Sequence, residues 1–167
     1  IYVGWQLNTK LNGGGSKISG LSIDYNQPLN FVPKIGKFFY LRANVTRLHL
    51  EGEHGADFTN FIPRAGNIGL TYNRLPVNIK LNYNYRGPQK LSTQSAINGF
   101  QYYAERKYFD LNAEYSFSKR ATLFINGRNI TNYPQDRVNL GNNIDYSRMN
   151  QVEEFGVQWA VGIKGQF

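Results

Sequence analysis

The chain has 167 residues, enough for one ordinary domain, but only 18% of them are charged while 15% are aromatic, a balance unlike that of most soluble domains. The absence of Cys excludes a disulfide scaffold and a thiolate metal site. A net charge of +8 is carried by basic residues spread singly, without the clusters that read as nucleic-acid contacts, so no nucleic acid is expected as a partner.

No helical span is available either. The longest apolar run, Phe38 to Leu41, is far short of the ~20 residues a membrane-crossing helix needs. Ile1 to Lys10 show neither an initiator Met nor a charged segment followed by an apolar one, so the chain reads as a mature or truncated product.

The organising signal is period two. Ile1 to Leu7 give a possible first strand, and Leu21, Ile23 and Tyr25 alternate with Ser22, Asp24 and Asn26. A noisier strand covers Phe38 to Leu50. Ile68, Leu70 and Tyr72 then alternate with Asn67, Gly69, Thr71 and Asn73. Val77, Ile79, Leu81, Tyr83 and Tyr85 oppose Asn78, Lys80, Asn82, Asn84 and Arg86 in the same way. Phe109 to Phe117 repeats the pattern, Ala121 to Asn129 is noisier, and Phe155 to Phe167 closes the series with Trp159, Val161 and Ile163 on one side. No segment shows a capped helical stripe.

Connections alternate in length. Arg74-Leu75-Pro76 and Ser118-Lys119-Arg120 are tight turns and Leu29 to Lys37 is a modest link, whereas 51 to 66, 87 to 107 and 130 to 154 read as long polar loops. Short turns at one end and long loops at the other are the asymmetry of an outer-membrane meander, with its periplasmic turns and extracellular loops. Tyr83, Tyr85, Tyr115, Phe117 and Phe167 near strand ends suit an interfacial aromatic girdle. The expected fold is an all-β, transmembrane, antiparallel up-and-down barrel. A soluble β-sandwich or lipocalin-like barrel shares the alternation; the loop asymmetry and terminal Phe167 favour the membrane.

Three segments resemble the C-terminal part of the TonB-dependent receptor family of Gram-negative outer membranes. Asn12-Gly13-Gly14-Gly15-Ser16-Lys17-Ile18-Ser19-Gly20-Leu21-Ser22 is similar to an Asn-Gly-rich loop entering a downward strand, with Ser22 where the family usually has Glu. Leu123 to Asn132 resembles the family's penultimate strand and its Asn-Leu-Thr-Asn-like end. Trp159, Val161, Ile163 and Phe167 resemble the sorting signal read by the barrel assembly machinery, although Gly165 replaces a common aromatic. The resemblance implies the last seven or eight strands of a 22-stranded barrel, residues 1 to 167 being its C-terminal segment, with plug and earlier strands lying outside the chain. It also implies an outer-membrane location among lipid and lipopolysaccharide, TonB contacted through the plug region, and import of a scarce nutrient such as a ferric siderophore. No enzyme activity and no cofactor are expected.

Chemistry-bearing residues are sparse. His49, Glu51, Glu53 and His54 invite a metal reading, but a strand entering an exposed loop commonly solvates such groups, and no metal site is expected. Gly13-Gly14-Gly15-Ser16-Lys17 lacks the spacing of a phosphate loop and has no following helix. If the apolar faces meet lipid, Lys80, Asn82, Arg86, Asn126, Arg128, Gln158 and Lys164 point into a lumen. Of these, Lys80, Arg86 and Arg128 are the candidates for anionic cargo, against the simpler role of bonding to a plug and to one another. A complete eight-stranded barrel with an anchoring or adhesive role is the other membrane alternative.

Overall fold

A computed structural model describes residues 15–52, 58–94, 99–141 and 147–165. They form antiparallel sheets and, apart from one 3-10 turn at Gly36–Phe38, no helix. Seven strands make the larger sheet: β1 (Ser16–Pro28), β2 (Phe39–Gly52), β3 (Arg64–Arg74), β4 (Val77–Arg86), β7 (Arg106–Ser116), β8 (Ala121–Arg128) and β11 (Gln158–Gly165), side by side in that order. Each pairs antiparallel with the next. β1 and β11 remain its two edges, and the described strands do not close on themselves. The expected strands Ile1 to Leu7 and the final Phe167 lie outside the described residues.

Two of the three links expected as long polar loops, 87 to 107 and 130 to 154, contain four further strands. These are β5 (Gln89–Gln94), β6 (Gly99–Tyr103), β9 (Gln135–Gly141) and β10 (Ser147–Glu153). They form a second sheet in the order β5-β6-β9-β10. Because β5 follows β4, β6 precedes β7, β9 follows β8 and β10 precedes β11, this order repeats that of the four strands beneath, β4-β7-β8-β11. The second sheet is therefore an upward extension of two long hairpins, broken at Gly87-Pro88, Ala104-Glu105, 129–134 and 154–157. The Ala104 amide donates to the Asp136 carbonyl at 2.8 Å and the Ile130 amide to the Phe109 carbonyl at 2.9 Å, so the breaks keep their backbone bonds.

Register gathers mostly apolar side chains on one face of the larger sheet and mostly polar ones on the other, where Phe124 is an exception. Leu41 lies opposite Leu70, Leu70 opposite Leu81, Leu81 opposite Leu111, and Ile125 opposite Val161. The other face carries Asn44 opposite Asn67, Asn67 opposite Asn84, and Lys80 opposite Asn112. Since directly opposed residues share a face, the alternation of each strand adds up to two continuous surfaces. Glycine accommodates the largest rings: a methyl at Gly127 would overlap Trp159, and one at Gly162 would overlap Phe124.

The apolar surface has no second layer over it. Among the described residues no hydrophobic side chain is buried, and Trp159, Val161 and Ile163 on β11 are 56%, 65% and 68% exposed. A soluble monomer rarely leaves so much contiguous apolar surface uncovered.

The apolar band also has defined limits. On β2, Phe39, Leu41, Ala43 and Val45 share the apolar face, and Arg47, His49 and Glu51 continue along it beyond the band, while Leu48 and Leu50 fall on the other face. This switch is why the strand reads as noisy. In register with Val45 through Gly66, Tyr85 faces Lys107, whose ammonium donates to Glu105 at 2.6 Å. The opposite limit holds Phe38 and Phe39 against Tyr72, with ring centroids 6.2 and 5.0 Å apart, and Arg74 over Phe38 at 4.9 Å. Between the limits, Val77 to Tyr85 provides nine residues, the length a tilted strand needs to cross a bilayer's apolar band, ~9–11 residues. The short connections at 29–38, 75–76 and 117–120 all lie at one end, and β11 finishes there too, Gly165 opposite Ala121.

Candidate functional site

The polar face is organised by a hydrogen-bonded ladder running across the strands. Asn44 donates to Asp24 at 2.6 Å, Asn67 to Asn84 at 2.9 Å, and Asn84 to Asp110 at 3.0 Å. Asp110 also accepts the backbone N–H of Asn129 at 2.9 Å. Both carboxylate oxygens of Asp110 are thereby engaged, which fixes it as an acceptor between β4, β7 and the end of β8.

Asn129 begins the Asn129-Ile130-Thr131-Asn132 segment and is 6% exposed, the one buried polar residue among those described. Its backbone is left-handed at φ 52°, as is that of Asn132 at φ 50°, a conformation Asn tolerates better than other side chains bearing a Cβ. Its side-chain amide donates to the carbonyls of Tyr133 at 3.1 Å and Gly156 at 3.4 Å, and its oxygen accepts the Tyr133 amide at 2.9 Å. One side chain thus holds together the breaks that separate β8 from β9 and β10 from β11. The segment carrying the clearest sequence resemblance is a structural clamp.

Beside this clamp lies a cleft of about 300 Å³ lined by Arg106, Tyr108, Asp110, Arg128, Asn129, Gln135, Phe155, Gly156 and Gln158. It sits where the two sheets meet, on the polar side. Arg86 stands directly opposite Arg106 at the tops of β4 and β7. Arg86 lies over the Tyr103 ring at 5.5 Å, Arg137 over the same ring at 5.0 Å, and Arg106 over Tyr108 at 4.7 Å. Arg137 also donates to the Tyr103 hydroxyl at 3.0 Å and is neutralised by Glu153 at 2.8 Å. The result is a set of guanidinium groups held against aromatic faces.

Among the sequence candidates, Arg86 and Arg128 come to this junction. Arg128 is exposed and opposite Gln158. Lys80 shares the polar face but lies six residues down β4 from Arg86, about 20 Å along the strand. Lys164 pairs with Glu114 at 2.6 Å near the short-turn end. The sequence alone does not single out Arg106, Tyr103 and Arg137, which lie in links that read as loops; the alternation of Arg106, Tyr108 and Asp110 against Lys107 and Phe109 is the signal that extends β7 to its true start.

Trp159, Val161 and Ile163 all lie on the apolar face of β11. His49 and Glu51 approach to 3.4 Å on exposed β2, while Glu53 and His54 lie outside the described residues. No cluster of three or more His, Cys, Asp or Glu side chains occurs among the described residues. Gly13 and Gly14 are likewise outside them, and Ser16 and Lys17 begin β1. At the band limit, the hydrogen bond from Lys107 holds the Glu105 carboxyl below its usual range, helped by the Tyr85 hydroxyl at 3.4 Å.

No protein-family model, no curated protein and no solved structure matches the chain.

Proposed function

We propose that this chain is the C-terminal segment of an outer-membrane β-barrel transporter of the TonB-dependent receptor type, which imports a scarce nutrient such as a ferric siderophore. The observation that carries the reading is the two-faced sheet. Seven antiparallel strands expose one uninterrupted apolar face and one hydrogen-bonded polar face, with no buried apolar core among the described residues. Lipid is the medium that covers such a face without a second protein layer, and in it every backbone group must be paired within the sheet.

The open edges support a larger barrel. β1 offers thirteen residues and β11 eight as unpaired sheet edges, which in a membrane need partner strands to satisfy their outward N–H and C=O groups. In this reading those partners belong to earlier strands, the polar face lines a lumen that meets a plug, and TonB acts through that plug region. Trp159, Val161, Ile163 and Phe167 serve the barrel assembly machinery by strand addition, and the upper hairpins project outward among lipopolysaccharide. A role in transport and not catalysis follows from the same reading.

Membrane fractionation tests it. The protein expressed in a Gram-negative host is expected in the outer-membrane fraction and to require detergent for release. Recovery from the soluble fraction without detergent contradicts the proposal.

A further inference from the structure

We propose that Arg86 and Arg106 form an oxyanion-binding site, taking a carboxylate or phosphate group of a small solute beside the cleft that Arg106 lines. This deepens the transporter reading and rests on it for the location of the site.

Two cations directly opposite on neighbouring strands repel each other, yet the fold places Arg86 and Arg106 there on one face. Neither forms an ion pair among the described residues. Glu153 is engaged by Arg137, and Asp110 is held by Asn84 and the Asn129 amide. Arg106 uses one nitrogen on Gln135 at 3.3 Å. The Nε and Nη2 atoms of Arg86 and the Nε of Arg106 are shielded from solvent and donate to no acceptor among the described residues. Shielded donors without acceptors are rare in folded proteins, because they lose hydration without replacement. An oxyanion entering between the two guanidinium groups, with a small side-chain shift that opens the shielded nitrogens to it, supplies acceptors for those donors and removes the repulsion. Tyr103 and Tyr108 hold the side chains over their rings, so less conformational freedom is lost on binding. The cleft volume of about 300 Å³ lies at the small end of ligand sites.

The full-length protein in nanodiscs of zwitterionic lipid, titrated calorimetrically at low salt with inorganic phosphate and with citrate, provides the test. Wild-type protein binds, whereas Arg86→Gln and Arg106→Gln each weaken binding at least tenfold. Arg86→Lys keeps the charge but loses the planar fork, and falls between. Lys119→Gln, in a turn at the opposite end, binds like wild type. Insertion of every variant is checked by its heat-dependent shift on electrophoresis, and the lysine variant carries the test if a glutamine variant fails to insert. Binding that appears only with anionic lipid in the disc, and that depends on Arg86, assigns the oxyanion to a lipid headgroup and overturns the solute assignment. Binding unchanged in both glutamine variants, or no binding in either disc by inserted wild-type protein, overturns the site altogether. Failure of the wild-type protein to insert overturns the transporter reading instead.

Discussion

The side-chain amide of Asn129, at the end of β8, reaches the carbonyl of Gly156, just before β11, at 3.4 Å. Gly156 itself has φ 72° and Asn129 φ 52°, so both ends of the clamp sit in backbone conformations that favour Gly and Asn. Asn129→Ala removes three hydrogen bonds from a buried position and leaves a left-handed alanine. The expected loss is about 2–4 kcal/mol. Asn129→Gly relieves the backbone and recovers about 1 kcal/mol of that loss. Urea titration in micelles measures both; an alanine variant as stable as wild type contradicts the clamp.

On the apolar face, Leu81 lies between Leu70 and Leu111 at the middle of the band. Leu81→Arg is expected to destabilise the inserted protein by about 2–4 kcal/mol, the cost of a cation facing the bilayer midplane. Asn82→Arg, one residue on and facing the other way, is expected to change stability by less than about 1 kcal/mol. Equal costs at the two positions contradict the assignment of faces.

The ion pair between Glu114 and Lys164 spans β7 to β11 at 2.6 Å with both side chains substantially exposed. Its coupling energy in a double-mutant cycle with Glu114→Gln and Lys164→Gln is expected to stay below about 1 kcal/mol, as for exposed pairs on a hydrated face. A value several times larger indicates that this face is dry.

At the band limit, Glu105 is held below the usual carboxyl range chiefly by the hydrogen bond from Lys107. A depressed folded-state value means that its stabilisation is fully present above the ordinary Glu range. It is lost as pH falls through the lowered value. The protection factor of amides at the β6–β7 junction, taken relative to the intrinsic exchange rate at each pH, is therefore expected to fall on acidification below the ordinary Glu range, and Glu105→Gln is expected to remove that acid dependence. The effect is small because the pair is exposed and screened by salt. Identical pH profiles for the two proteins contradict it.

Much of the larger sheet was legible because its two faces carry side chains of opposite polarity. Val77 to Arg86 alternates without exception and is β4 residue for residue. Phe38 to Leu50 alternates only as far as Val45, where the strand leaves the apolar band and its pattern changes phase. The upper strands escaped for a related reason. Gln89–Gln94, Gln135–Gly141 and Ser147–Glu153 are largely polar in sequence, so alternation carries little contrast, and their order depends on the β6–β9 pairing between distant hairpins. Because 87 to 107 reads as a loop, the sequence points to Arg86 and Arg128 but does not reveal the apposition of Arg86 and Arg106. The Asn129 to Asn132 segment was recognisable as a pattern, but its hydrogen-bonding role needed three-dimensional proximity to Gly156.

The most direct test of the account places a single Cys-linked fluorophore in turn at Ile79, Lys80, Leu81, Asn82, Tyr83 and Asn84, along β4 of the protein inserted into bilayers containing brominated lipid. Quenching is expected to alternate, strong at Ile79, Leu81 and Tyr83 and weak at Lys80, Asn82 and Asn84. Uniform quenching along the strand, or none at the apolar positions of inserted protein, contradicts the assignment of the apolar face to lipid.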